Sequence, residues 1–379
     1  MILFAKALTR LSKTGNLLCS AFLISQEGEK RNMAVTAIAR VEYPSHLKPI
    51  TPPLELKKLL KLKELMMEFT QDWMKQRGCM RLFLNEITGP TGSCEQRRNV
   101  FSVLESLEEK NRTSNLRQTA QLDMEVLLVQ ADLDRVWTSG RSFRKENDGD
   151  GRHKSEFELV EWEIRRRGLP KLIEYNIDYY EKLMALLLQD QVLLDTERRR
   201  RLDHWLETFK TRVAAGKGAI DYTEAIDFLQ ERGYPINWGQ DLKQEHERAL
   251  TAFYGMVLVQ RFPEPIKFFN MRRSREPEHK GCVDAVDVLA PYAGECDGGS
   301  AREEDMAIMD ERLQTSDMVN QIQEEYRTRG WDPDLVLEDF ETEYLCHFRD
   351  LEPIIRAGSG RGMARVLQFV LASDVIIPY

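Results

Sequence analysis

Cysteine is scarce and scattered in this chain. Cys19, Cys79, Cys94, Cys282, Cys296 and Cys346 are the full set in 379 residues. That is too sparse and irregular for the disulfide framework of a small secreted domain, and it fits a reducing compartment. No apolar run reaches the roughly 18 residues that a membrane-spanning helix needs, so no span is predicted. Lysine is missing after Lys280. The short signatures of well-marked enzymes are missing too: no H-E-x-x-H, no G-x-S-x-G, no Walker lysine and no protein-kinase set. No fixed-period repeat is present, although 155–261 has a helix-turn-helix rhythm. From these absences no catalytic residue and no cofactor is predicted.

What is there is the balance of a globular chain. Hydrophobic residues make up 42% and charged residues 31%, enough for one large domain or two ordinary ones. The net charge of −8 is unevenly laid out. Residues 1–150 carry 23 basic against 19 acidic side chains, residues 151–280 carry 23 against 22, and residues 281–379 carry 8 against 21. An acidic final third should repel a phosphate backbone, which places any nucleic-acid surface upstream.

Residues 1–53 read as an N-terminal arm. No acidic residue precedes Glu27. On a helix, Lys6, Arg10 and Lys13 would share one face and Phe4, Leu8 and Leu11 the other. Residues 1–26 therefore have the pattern of a mitochondrial transit peptide, with a secretory signal as the weaker reading and Met33 as an alternative start. Pro44, Pro49, Pro52 and Pro53 mark an extended linker. Asn111-Arg112-Thr113 is a glycosylation sequon that matters only in a secreted chain.

Downstream, helical periodicity dominates. Leu62, Leu65, Phe69 and Trp73 form one stripe in residues 54–77. Leu122, Val126, Val129, Leu133 and Val136 form another in 115–137. Residues 80–110 are compatible with strand or helix. The stretch 145–170 invites a calcium-loop reading, but with Gly151 at position 6 the bidentate glutamate position falls on Phe157. Its simpler reading is a linker entering a helix over 155–167. There Ser155 and Glu158 form a capping box, glutamates fill the early turns, and Arg165, Arg166 and Arg167 precede Gly168. Further helices are predicted from Pro170, Asp195 and Asp221, over 240–261, 303–313 and 316–329, from Asp332, and over 363–372. Residues 276–302 read as a long loop, and Gly358–Gly362 as an interhelical turn that lacks the Walker residues of a phosphate loop.

The fold class predicted is all-α: a multi-helix bundle-like domain, with two possible lobes meeting near the 276–302 loop. Its parts are a helical region 54–144, a central bundle 145–275 and an acidic helical region 303–379. His279, Cys282 and Cys296 are the metal candidate, with Cys346 or His347 as a distant fourth ligand. Glu338, Asp339, Glu341 and Glu343 read as a solvated acidic face. Arg198, Arg199, Arg200 and Arg201 beside Trp205, and Arg272, Arg273 and Arg275 after Phe268-Phe269, are candidate phosphate contacts. The function expected is a non-enzymatic scaffold or adaptor with a protein partner. The alternative is a nucleic-acid-associated protein using 198–212 and 268–280. A third reading, a helical enzyme, needs His246, Glu245, Glu341 and His347 in one pocket. The expected location is intracellular: mitochondrial if residues 1–26 are a transit peptide, otherwise cytoplasm or nucleus.

Overall fold

A computed structural model describes residues 10–11, 17–18, 53–91, 100–103, 114–145 and 154–373. The chain divides into two units, Met1–Pro52 and Pro53–Tyr379. In the first, a short antiparallel pair, Arg10–Leu11 with Leu17–Leu18, is described. Most of the predicted transit peptide and proline linker, the sequon, the Asp148–Asp150 loop and the apolar C-terminal end lie outside the described residues. No described helix is long and apolar enough to cross a membrane.

The second unit is built on a sheet of eight strands, which overturns the all-α expectation. In chain order its elements are α1 (Pro53–Gln76), β1 (Met80–Arg81), β2 (Ile87–Thr88), β3 (Ser102–Val103), β4 (Ser114–Leu116), α2 (Gln121–Gln130), β5 (Arg135–Phe143), β6 (Glu156–Arg165), α3 (Leu169–Gln189) and α4 (Thr196–Ala214). Then come β7 (Ala219–Asp221), α5 (Tyr222–Glu231), α6 (Gln244–Tyr254), β8 (Val257–Gln260), β9 (Ala285–Ala290), β10 (Gly294–Arg302), α7 (Met306–Thr315), α8 (Asp317–Arg329), α9 (Leu335–Phe340), α10 (Cys346–Arg349), β11 (Arg356–Gly362) and α11 (Met363–Leu371). The large sheet runs β1-β5-β6-β11-β10-β9-β8-β7, and β2-β4-β3 form a small second sheet. Within the large sheet only the outermost pairs, β1 with β5 and β8 with β7, are parallel.

Several predicted helices, loops and turns are strands for one physical reason: the sheet buries both of its faces. The stretch read as a capped helix over 155–167 is the central strand β6. Val160, Trp162 and Ile164 point to one face and pack with α1 and α3 in the main core. Leu159, Glu161 and Glu163 point to the other and are also buried. The strand's apolar alternation was masked because its opposite row is acidic and buried rather than solvated. The predicted helix over 115–137 ends at Gln130, and Val136 belongs to β5. The predicted loop 276–302 contains β9 and β10, and the glycine-rich turn is β11. The proposed boundary between two lobes therefore falls in the middle of the sheet.

Helices with a single apolar stripe match the sequence reading. In α1, Leu62, Met66 and Trp73 are buried against α3, whose Leu172, Tyr179, Leu183 and Leu187 face the sheet. Each such side chain contributes roughly 1.5–3 kcal/mol on full burial. Pro170 sits in the first turn of α3, where a missing amide costs nothing. Thus α1, α3, α4 and α11 cover the back of the sheet. The front is left to α2 and the C-terminal helices near β6, and to α5 and α6 near β8.

Candidate active site

On the front face, strand register sets two rows of residues side by side. One runs Glu163, Gly358, Ser300, Ala285; the next runs Glu161, Gly360, Gly298, Asp287. Glycine in a central strand marks a place where something must approach the backbone. Here Gly360 opens the floor of a slot with carboxylates at both ends, and Gly358 and Gly298 make room for those carboxylates. A Cβ on Gly358 would collide with the Glu163 carboxylate, and one on Gly298 would lie 2.7 Å from Glu295 Oε1 and 3.4 Å from Asp287 Oδ1.

One end of the slot is held by a buried polar network. The Arg302 guanidinium pairs with Glu163 and donates to Ser300 Oγ at 2.7 Å. Its Nε lies 3.4 Å from Glu125 Oε1, and Arg356 Nη2 lies 3.4 Å from Glu125 Oε2. Glu125 also accepts from Tyr344 OH at 2.7 Å, Asn270 Nδ2 at 2.8 Å and Gln121 Nε2 at 3.0 Å. Burial, and Glu125 beside it, push the Glu163 carboxyl above its ordinary value; Arg302 and Arg356 pull the other way. Two guanidiniums against two carboxylates make a charge-balanced set, the condition under which ions tolerate burial.

At the other end, Lys267 Nζ donates to Asp287 Oδ2 at 2.6 Å. Burial disfavours the lysine's charge, but Asp287, Glu295 and Asp241 outweigh it and hold its pKa above the usual value. Burial pushes the Asp287 carboxyl up against the pull of Lys267. Beside Glu163 on β6, Glu161 accepts from the Thr119 hydroxyl and, at 2.8 Å, from the Ala120 amide at the start of α2. Gln118 is buried beside them, with its amide donated to Thr91 Oγ1 at 2.9 Å and its side-chain Nε2 without a hydrogen-bond partner. A slot with many acceptors and one arginine fork suits a small ligand that carries an ammonium and a polar side chain.

The arginines predicted as phosphate contacts divide between the two faces. Arg198 donates to Leu371 O and pairs with Asp195, and Arg199 donates to Leu188 O at 2.8 Å; both tie α4 to the helical layer behind the sheet. Arg200 and Arg201 pair with Glu197. By contrast Arg272 and Arg275 stand on the front. Their guanidiniums lie 3.6 Å and 2.6 Å from Glu304, just past β10. Arg273 pairs with Glu264 and Glu311. His279, Cys282 and Cys296 are not brought together. Cys296 is in the core behind the sheet, where burial pushes its thiol well up. Among the described residues, the group of three candidate ligands whose atoms lie within 4.8 Å of one another is Glu276, Glu278 and His279. His246 caps its own helix by accepting from Lys243 N at 3.0 Å, while Glu341 pairs with Arg349 on the C-terminal helices.

Sequence reasoning missed Glu161, Glu163, Asp287, Arg302 and the glycine floor. A signal existed in the period-two run around Trp162, and in two glycine clusters too closely spaced for helix turns.

Comparison with known proteins gives this geometry a setting. The family profile described as tRNA synthetases class II (D, K and N) matches residues 50–376. An asparagine–tRNA ligase of Thermococcus gammatolerans is 31% identical over 324 residues, covering 83% of this chain and 66% of the relative. One of Vibrio cholerae is 34% identical over 251 residues, covering 63% of this chain and 48% of the relative. The chain thus spans about half to two thirds of the length of the curated relatives it matches. Asparaginyl-tRNA synthetase of Pyrococcus horikoshii, solved with asparaginyl-adenylate, superposes with a TM-score of 0.64 at 28% identity, covering 85% of this chain and 67% of that one. A putative aspartyl-tRNA synthetase of Leishmania major, at 17% identity and TM-score 0.65, shares the fold. These matches overturn the scaffold reading and leave its protein partner without support. The absence of short motifs misled because the site is assembled from strands far apart in sequence.

Proposed function

The chain belongs to the class II tRNA synthetases of the D, K and N family, and on that premise we propose that it activates asparagine and ligates it to tRNA. The curated relatives named above carry that activity in their names. The observation that carries the reading is the placement of Arg302 and Glu161 around the glycine floor. An amide side chain offers one carbonyl acceptor and one amino donor. Arg302 supplies N–H groups for the first, and Glu161, pinned on α2, supplies lone pairs for the second. Aspartate would set a second carboxylate against Glu161, and like charges in a low-dielectric slot repel strongly. The remaining acids, Asp287 and Glu295, favour the substrate's ammonium. The nucleic acid partner on this reading is tRNA, whose acceptor end must reach the front of the sheet.

Amino-acid-dependent exchange of pyrophosphate into ATP by the purified chain tests the reading, followed by charging of tRNA. Asparagine is expected to support exchange and aspartate not. Arg302→Ala is expected to lower kcat/KM for asparagine by about 100-fold, the effect of losing a charge-assisted bond of roughly 3 kcal/mol. Exchange with aspartate in preference to asparagine, or with neither, overturns it.

A further inference from the structure

We propose that Thr119 is a positioning residue for amide selection: with the Ala120 amide it holds the Glu161 carboxylate as a fixed acceptor facing the slot. This rests on the reading of asparagine as substrate. Thr119 is buried immediately before α2. Its Oγ1 accepts the Gln121 amide at 3.2 Å and contacts Glu161 Oε1. A threonine hydroxyl has one proton. With a lone pair committed to Gln121 N–H, that proton points to Glu161. Ala120 N–H takes the other carboxylate oxygen at 2.8 Å. Both oxygens of Glu161 therefore receive donors from the protein, an arrangement that fits a carboxylate and not a carboxylic acid. The Glu161 side chain lies beside Gly360, whose missing side chain gives the ligand room; a Cβ there would lie 3.5 Å from Glu161 Cγ and 3.8 Å from its Oε1. The lone pairs left over accept an amide N–H and have nothing to offer a second carboxylate.

The surroundings of Glu161 are mixed. Burial pushes its carboxyl above the ordinary value, and the Thr119 hydroxyl, the Ala120 amide, Arg117 and Arg144 pull it back. Glu163 lies two residues along β6 and pairs with Arg302, and Glu125 of α2 lies against Arg302 and Arg356. Across β5 it faces Thr138, whose hydroxyl is donated to Leu82 O at 3.0 Å, and across β11 it faces uncharged Gly360. Of the side chains that keep Glu161 ionised, Thr119 alone is neutral, so it can be removed without changing charge. Without its hydroxyl the carboxyl rises further and takes up a proton at higher pH. A protonated Glu161 becomes a donor, and a donor welcomes the aspartate carboxylate.

Thr119→Val removes the hydroxyl at nearly constant volume. Pyrophosphate exchange with asparagine and with aspartate is measured for wild type, Thr119→Val, Thr119→Ala and Thr119→Ser as the pH is lowered from about 8 to about 6. The valine and alanine variants are expected to lose about tenfold in the asparagine-to-aspartate ratio of kcat/KM, as one charge-assisted hydrogen bond predicts. The loss should deepen toward low pH, and serine should restore the wild-type ratio and profile. The alanine variant keeps the test decisive if valine fails to fold. A wild-type ratio in both variants at every pH, or a serine variant that behaves like valine, overturns the role of Thr119. Wild type without asparagine-dependent exchange overturns the substrate reading instead.

Discussion

Directly beneath the glycine floor, on the back of the sheet, Arg361 and Asp297 form an ion pair between side chains that are both fully buried, Nη2 to Oδ2 at 2.6 Å. The guanidinium lies over the Tyr179 ring at 3.4 Å and donates to Asn176 Oδ1 at 3.2 Å; Asp297 accepts from Ser359. Burial pushes the Asp297 carboxyl up, and Arg361 holds it down. The attraction of such a pair is largely offset by desolvation, so its net contribution is small. Removing one partner is a different matter, since a bare buried charge remains. Arg361→Met is expected to lower unfolding stability by about 3–5 kcal/mol, whereas Asp297→Val combined with Arg361→Leu should return to within about 1–2 kcal/mol of wild type. Urea unfolding of wild type and the two variants checks this; equal losses in the single and the double variant would count against it. None of this pairing was legible in the sequence. Arg361 read as part of a flexible turn, and Asp297 as a loop acid, because partners 64 positions apart meet only through the register of β10 and β11.

At the scale of elements, β10 and β11 are the strands hardest to see and the ones that make the site. Six of their residues, Gly294, Gly298, Gly299, Gly358, Gly360 and Gly362, lack the side chains that mark a strand. Helices α1, α3 and α4 were legible because each presents one apolar stripe to one core; a strand with a carboxylate row on one face has no such contrast. The glycines are not equivalent. A Cβ on Gly299 would lie 2.6 Å from the Gly358 carbonyl oxygen, a backbone atom that cannot step aside, while Gly360 meets nothing closer than 3.5 Å. Gly299→Ala is therefore expected to cost about 1–3 kcal/mol through a forced shift of the β10–β11 pair. Gly360→Ala should keep or raise the melting temperature, since it removes about 0.4–1 kcal/mol of unfolded-state entropy. It should nonetheless raise KM for the amino acid, because the new methyl stands on the slot floor. Melting curves and exchange kinetics on both variants separate a glycine kept for packing from one kept for the ligand.

For the whole molecule, the charge asymmetry along the chain is partly cancelled in space. The acidic last third was expected to repel phosphate, yet several of its carboxylates are inside the protein and matched to basic residues of the preceding segment. Asp284 pairs with Arg261, Asp287 with Lys267, and Glu304 with Arg272 and Arg275. Within the segment Asp297 is matched to Arg361. Sequence charge counts therefore overstate the field that a nucleic acid would meet on the front. The sheet also sorts the arginines. Those on α4 sit behind it, while Arg275 stands on the front, its side chain more than half exposed. An acceptor end that delivers its terminal hydroxyl to the slot passes the front only. Arg275→Ala is accordingly expected to weaken tRNA binding a few-fold and to reduce the slope of log affinity against log salt by about one, the loss of a single phosphate contact. Arg200→Ala, on the back, should leave both unchanged. A filter-binding salt series with the two variants decides between the faces, and an effect confined to Arg200 would put the nucleic acid on the helical layer behind the sheet.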